Sequence, residues 1–155
     1  MRPNTSLESG VCAMLMMALQ EGHAPLASNV MADVLGVSDS YLKKTLRRLV
    51  VAGLVESSVQ RGGGYTLARG PREISVADAF RALCGPLAPE LSDLPDRVFP
   101  DKTHTAQVKA LLADTMSEAE DAYLDRLEDV RLSDLLDMDK ADKGVVDWAA
   151  VAAAS

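Results

Sequence analysis

A run of paired basic residues near the middle of the chain has the residue types and spacing that binding to a polyanion requires. The pairs lie one helical turn apart and alternate with apolar residues, so a helix there would be cationic on one side and apolar on the other. From residue 40 to residue 72 the chain holds seven basic residues and one acidic residue, in a protein of net charge −7. This local concentration predicts contact with nucleic-acid phosphates, and an ordinary solvated helix face is the alternative. The seven basic residues are Lys43, Lys44, Arg47, Arg48, Arg61, Arg69 and Arg72.

Two helices joined by a tight turn would position the first four of these cations. Ser28 can cap one helix over residues 28–35, and Gly36 suits the left-handed residue that ends it. Ser38 can cap a second helix, in which apolar residues recur at helical spacing until Gly53. The pattern therefore predicts a helix-turn-helix.

A β-hairpin is predicted next, with strands over residues 54–59 and 65–68 and a turn formed by Arg61 and three glycines. Because glycine lacks a side chain, this run lets the backbone lie close to another surface, which we interpret as the DNA backbone or minor groove. The fold class is thus mostly α with a small β-hairpin wing, and the predicted partner is double-stranded DNA. The predicted DNA contacts are Ser38, Ser40, Tyr41, Lys43, Lys44, Arg47, Arg48, Arg61, Gly62, Gly63, Gly64 and Tyr65.

The sequence offers no catalytic site, so we predict that the protein is not an enzyme. No Ser-His-Asp arrangement or paired carboxylate site stands out, and the glycine run lies at a hairpin tip rather than at a strand-to-helix turn that could cradle phosphate. A winged-helix protein-interaction module without DNA binding remains the alternative to a transcriptional regulator.

The second half of the chain is acidic and predicts a different role. Residues 86–155 contain seven basic and sixteen acidic residues. After four prolines between residues 86 and 100, a helix is predicted from Thr103 or Thr105 to about Asp129, which at 1.5 Å per residue is about 37 Å long. That length is too great for one small domain to bury its apolar stripe, so we predict a homodimer in which the long helices pair, with an intramolecular core helix as the alternative. The stripe is Val108, Leu112, Met116, Ala119, Tyr123, Leu127 and Val130.

These elements divide the chain into four predicted parts. Residues 1–84 form the winged helix-turn-helix domain, and residues 85–104 form a proline-rich loop. Residues 105–136 form the dimerisation helix and a short closing helix, and residues 137–155 form a C-terminal tail, either a short docked helix or a frayed end. The amino terminus lacks the order of a signal peptide and no apolar run approaches the ~20 residues that span a bilayer, so a cytoplasmic protein with no membrane partner is expected.

Several motifs resemble the Rrf-two-type bacterial repressors. The similarity lies in the runs at residues 41–58, 61–69 and 71–83, with Tyr-Leu opening the second helix, Gly-Gly-Tyr in the wing and Ile-Ser-Val-Ala-Asp opening the next helix. Residues 130–136 are similar to the short helix that closes family domains. The resemblance covers most of the chain and implies a dimeric repressor that binds a palindromic operator and responds to a redox, metal or small-molecule signal.

The resemblance also bears on cofactors. Family members that bind an iron-sulfur cluster carry three closely spaced cysteines in the loop after the winged domain, and residues 85–105 contain none. We therefore predict no cofactor and no metal site. Buried, inert thiols are the default for the two cysteines, Cys12 and Cys84, and oxidation of either thiol is one alternative. Another is an unconventional ligand set shared between subunits, formed by Glu8, Cys12, Cys84 and His104.

Overall fold

The computed structural model describes residues 5–88 and 90–155. They fall into two compact units, the first formed by the residues up to Cys84 together with Glu128–Ser155 and the second by Gly85–Leu127. None of the helices described in these residues is long and apolar enough to cross a membrane.

Four helices and a hairpin make up most of the first unit. The helices are α1 (Thr5–Leu19), α2 (Ser28–Leu35), α3 (Asp39–Val51) and α4 (Val76–Leu83), and short 3-10 turns lie at Glu21–His23 and Pro71–Glu73. Their inward faces meet in one core, in which Met14, Met31, Leu42, Leu46 and Leu49 are fully buried. The long methionine side chains fill the space between helices α1, α2 and α3.

The wing is a two-stranded antiparallel sheet of β1 (Val55–Ser57) and β2 (Tyr65–Leu67), with Glu56 opposite Thr66. Both strands are shorter than the sequence predicts. The hydrogen bond from the Ser58 amide to the Gly64 carbonyl is followed by the turn, in which the two segments no longer pair as strands. Leu26 pairs with Tyr65 on the other edge of β2 as an isolated bridge.

The start of α2 differs from the prediction. Its cap is Ala27, which makes no side-chain bond to the helix, and Ser28 is the first helical residue. Instead of capping, the Ser28 hydroxyl donates a 2.6 Å hydrogen bond to Asp39 at the start of α3. The prediction of Ser28 as a cap is therefore wrong. Gly36 does end α2 in the left-handed conformation, with φ of 67°.

The last residues of the chain form the docked helix that was one of the two expected alternatives. A 3-10 turn at Leu132–Leu135 is followed by α7 (Met138–Lys143) and α8 (Trp148–Ala153). Trp148 is half-buried, and its indole Nε1 donates to the Met16 carbonyl at 2.9 Å. The indole of Trp148 has apolar contacts with the core and a hydrogen-bond acceptor on α1, so the C-terminal segment packs against the rest of the first unit.

The second unit contains α5 (Leu94–Val98) and most of α6 (Lys102–Glu128). Residues 85–104, which were predicted as a proline-rich loop, contain α5 and the start of α6, and Pro95 lies in the first turn of α5, where proline disturbs no helix. The segment also folds back on α6, since the Ala88 amide donates to the Glu120 carboxylate at 3.0 Å. Most of the long helix is nevertheless open, and Thr105 is its single buried residue among those described.

Candidate nucleic-acid interface

Helix α3 separates a packing face from a cationic face, as its sequence predicts. Its buried residues are Leu42, Thr45, Leu46 and Leu49. The four cations between them are exposed. The Ser38 hydroxyl accepts a 3.2 Å bond from the Tyr41 amide, which confirms Ser38 as the N-cap and fixes where the helix starts.

Ion pairing divides the seven basic residues into two groups. Lys43 pairs with Asp39 at 2.8 Å, Arg69 with Asp78 at 4.0 Å and Arg72 with Asp142 at 3.2 Å. The other four make no ion pair with any residue that the structure describes, so their charge is available to an external anion. These four are Lys44, Arg47, Arg48 and Arg61.

Asp39 is a site residue that the sequence analysis missed. Its carboxylate accepts from the Ser28 hydroxyl of α2 and pairs with Lys43 of α3, so it joins the two helices of the helix-turn-helix. The hydrogen bond from Lys43, followed by the one from Ser28, lowers the pKa of Asp39. The same hydrogen bond to Asp39 raises the pKa of Lys43. Lys43 thus stays protonated, with its charge shared with Asp39, and its predicted contact with DNA phosphate stays a prediction. The sequence does place Asp39 directly after the cap residue Ser38, and acidic residues are favoured in the first turn of a helix, so this position could have indicated a role for Asp39 at the start of α3.

Tyr41 contacts another helix rather than solvent. Its hydroxyl lies 3.1 Å from the Ser6 hydroxyl and 3.5 Å from the Ser9 hydroxyl on α1, and these hydrogen bonds lower the pKa of Tyr41. These contacts join α3 to α1, and the predicted contact of Tyr41 with DNA stays a prediction. Ser40, by contrast, is exposed at the start of α3.

The glycines of the wing are required by contacts within the chain. Gly62 has φ of 77°, a conformation that side chains disfavour. A Cβ atom on Gly63 would lie 2.3 Å from the Ser58 carbonyl oxygen, and one on Gly64 would lie 2.6 Å from the Leu26 carbonyl group. The conformation of Gly62 and the intramolecular contacts of Gly63 and Gly64 are therefore enough to require glycine, and close approach of this run to DNA stays a prediction. Arg61 projects from this turn and is exposed.

We predict that Gly64→Ala destabilises the protein by about 1–3 kcal/mol, the usual cost of forcing a group into a filled space. The wing would separate from Leu26, and thermal unfolding followed by circular dichroism would show a lower midpoint. Gly70→Ala is the matched control, because Gly70 has φ of −63° and its added Cβ would meet only a side-chain oxygen at 3.5 Å. Equal midpoints for the two variants would contradict the packing explanation.

The residues considered for sensing lie in both units, with Glu8, Cys12 and Cys84 in the first and His104 in the second. Cys12 and Cys84 are half-buried and form no disulfide with a described residue. Burial, followed by the charge of Glu8, raises the pKa of the Cys12 thiol. A raised pKa leaves less of the reactive thiolate. His104 lies in the second unit with its ring edge-on to Phe99, at 4.6 Å between centroids. Within residues 5–88 and 90–155, no three His, Cys, Asp or Glu side chains are grouped to hold a metal ion.

A helix-turn-helix followed by a hairpin wing, with unpaired cations on both, defines a winged-helix DNA-binding protein. The chain belongs to the Rrf2 family, described as iron-dependent transcriptional regulators, whose family model matches residues 4–138. It is a DNA-binding transcriptional regulator and not an enzyme.

Individual relatives agree with this assignment. The chain is 30% identical over 154 residues to the HTH-type transcriptional regulator YwgB of Bacillus subtilis, covering 94% of this chain and 96% of that one. Among solved structures it is similar to T. potens IscR, with a TM-score of 0.63, 28% identity and coverage of 90% and 88% of the two chains. It is also similar to CymR, the global cysteine regulator of B. subtilis, with a TM-score of 0.61, 26% identity and coverage of 87% and 95%.

Proposed function

We propose that the protein is a dimeric repressor that binds a palindromic operator and releases it in response to a signal. The observation that carries this proposal is the set of unpaired cations on α3 and the wing tip. In this arrangement α3 enters the major groove, where Lys44, Arg47 and Arg48 contact phosphates and base edges. Arg61 at the wing tip reaches the adjacent minor groove, where narrow A·T-rich tracts attract a guanidinium group.

The dimer is supported by the exposure of the stripe on α6. Leu112 and Tyr123 are each 39% exposed in the single chain, and Leu111 beside them is 68% exposed. A helix of 27 residues with such an open apolar face is suited to pairing with a second copy. Two-fold pairing would present two α3 helices to the DNA, and this favours an operator made of two inverted half-sites.

The signal is proposed to be something other than an iron-sulfur cluster of the three-cysteine kind. The donor set does not fit such a cluster, because the chain has two cysteines and neither lies in residues 85–105. The raised pKa of Cys12 also argues against a thiol that oxidises readily. A small-molecule effector is therefore the favoured signal.

We predict that the protein purified without oxygen is colourless and that this apo-protein binds DNA. Iron and acid-labile sulfide assays on the same preparation check the prediction. A brown protein with stoichiometric iron and sulfide would contradict it, and the set Glu8, Cys12, Cys84 and His104 shared between subunits would then become the leading ligand hypothesis.

A gel-shift titration against the DNA upstream of its own gene, with unrelated DNA of equal length as competitor, tests the proposed function. We expect a discrete protein–DNA complex that the competitor does not displace. In a footprinting experiment, the protein should protect two half-sites symmetrically. Failure to bind any duplex at low salt would reject DNA binding and favour a protein-interaction module.

A further inference from the structure

A cavity bordered by the end of the wing strand β2, by α1 and by α7 takes no part in the DNA contacts proposed above. It measures about 760 Å³, within the range of small-molecule sites. Met17 and Ala18 of α1 form its floor, and Leu67 and Ala68 at the end of β2 form a wall. Strand β2 connects this wall to the wing tip at residues 61–64.

The opposite wall comes from α7, in particular from Ala141 and Asp142. Both residues follow residue 138, where the match to the family model ends. Asp142 is anchored to the loop after the wing, because its two carboxylate oxygens each accept a 3.2 Å bond from the Arg72 guanidinium. The cavity is therefore preformed by a segment that the family model does not include.

Local backbone geometry holds this wall in place. His23 has φ of 51°, unusual for a residue with a side chain, and its Nε2 donates to the Ala141 carbonyl at 2.6 Å. Gly144, which ends α7, lies so close to the start of the 3-10 turn at Glu21–His23 that a Cβ on it would be 2.5 Å from the Gln20 carbonyl oxygen. The Gly22 amide also donates to the Gly144 carbonyl at 3.0 Å. Strained and closely packed backbone of this kind is concentrated at ligand sites.

Two side chains of opposite charge face the cavity with bonding capacity left. Although Arg69 pairs with Asp78, the two groups are 4.0 Å apart, and no hydrogen bond joins the Arg69 guanidinium to a described residue, so its N–H donors can bind a second anion. Glu73 accepts from the Gly70 amide through Oε2, and its Oε1 has no partner in the part of the chain that the structure describes. Asp142 also lines the cavity, but Arg72 already neutralises it.

The edge of β2 adds a backbone donor and acceptor. Tyr65 directs its amide and carbonyl toward Leu26, with bonds of 2.9 and 3.0 Å, whereas the Ala68 amide bonds to Leu54 on the β1 side. In an antiparallel strand, the backbone amide and carbonyl groups of successive residues point to opposite edges, so those of Leu67 point to the same edge as those of Tyr65. No residue in the described ranges pairs with them there.

From these features we infer that the cavity binds an apolar α-amino acid. Arg69 would bind the carboxylate, Glu73 the ammonium group, and Met17, Ala18 and Leu67 the side chain. The site binds its ligand whether or not the proposed operator binding is correct. Its regulatory effect rests on the proposed function, because a ligand on β2 would change the position of the wing and hence operator affinity.

Isothermal titration of the full chain, without DNA, tests the site with three matched probes. They are L-phenylalanine, 3-phenylpropanoate, which lacks only the amino group, and 2-phenylethylamine, which lacks only the carboxylate. We expect saturable binding of L-phenylalanine and roughly 10-fold or greater weakening for each analogue, because each loses one charge-assisted contact. Equal binding of all three, or no binding of L-phenylalanine, would overturn the inference.

Two variants locate the site. Arg69→Gln and Glu73→Gln should each weaken L-phenylalanine binding by roughly 10-fold or more while circular dichroism stays unchanged, since glutamine keeps the length of Glu73 and can still accept from Gly70. Lys140→Gln, on α7 but outside the cavity lining, is the control and should bind normally. If Lys140→Gln weakens binding equally, the amino acid binds elsewhere and the inference fails.

Gel-shift titrations with and without L-phenylalanine then separate the two proposals. We expect operator affinity to change by about 5-fold or more, a typical coupling between two sites. If L-phenylalanine binds but operator affinity is unchanged, the site stands and its coupling to the wing is rejected. If the protein alone binds no DNA at low salt, the proposed function fails while the titration result still decides the site.

Discussion

Replacing Lys44 or Arg48 by alanine should weaken operator binding by about 10-fold or more and make it less sensitive to salt. Both side chains are exposed on α3 without an ion-pair partner among the described residues, so their substitution should leave the fold intact. A hydrogen bond to a charged group contributes about 1.5–3 kcal/mol, and a dimer would lose each contact twice. Each phosphate contact also changes the slope of log affinity against log salt by about 1, so each variant should lower that slope by about 2.

Fluorescence anisotropy with a labelled operator at several salt concentrations measures both quantities. Lys143→Ala is the control, because it removes the same charge from an exposed position on α7, outside the winged domain. Affinity that is independent of salt, or that falls as much for Lys143→Ala, would contradict the assignment of α3 as the recognition helix. A loss confined to one DNA sequence would instead indicate that the side chain reads a base edge.

Leu112→Asp should convert the protein to a monomer and thereby remove most of its operator affinity. An unpaired carboxylate in an apolar interface costs several kcal/mol, so association should weaken by about 100-fold or more. A monomer offers the DNA one α3 helix in place of two, and the benefit of binding both half-sites together is lost. Sedimentation velocity at micromolar concentration checks the association state, and anisotropy checks the DNA affinity.

Ala110→Asp is the matched control for this prediction. Ala110 is exposed on the same helix but lies almost opposite Leu112 around the helix axis, at 100° per residue. It should leave the dimer intact. A monomeric wild type would contradict the proposed dimer, and dissociation by both substitutions would show that the stripe is not the pairing face.

Much of the winged domain could be predicted because its signals are local. The Ile-Ser-Val-Ala-Asp motif does open a helix, α4, in which the Ser75 hydroxyl caps the first turn by accepting from the Asp78 amide three residues later. Helix α3 begins after Ser38 and buries the predicted apolar face. Such signals depend on residues within one or two turns, so a single sequence contains them in full.

The roles of individual site residues could be predicted less well, because a side chain chooses among partners that are distant in the sequence. Tyr41 had the position of a DNA contact, yet its hydroxyl lies against Ser6 and Ser9 of α1. Ser28 had the position of a cap, yet it donates to Asp39. In both residues the tertiary partner satisfies the hydroxyl, and a local pattern contains no information about that partner.

The class of the protein can be predicted from the chain alone, because the order of helix, turn, helix and wing, the concentration of cations in that stretch and the apolar stripe of the long helix are all local patterns. The packing of the chain sets which cations remain available, because pairing of Arg72 with Asp142 joins positions 70 residues apart. It also places the C-terminal segment against α1 through Trp148 and closes a cavity at the end of β2. Secondary structure follows from backbone preferences of neighbouring residues, whereas ion pairs and cavities form where distant segments meet, and that meeting depends on the packing of the whole core.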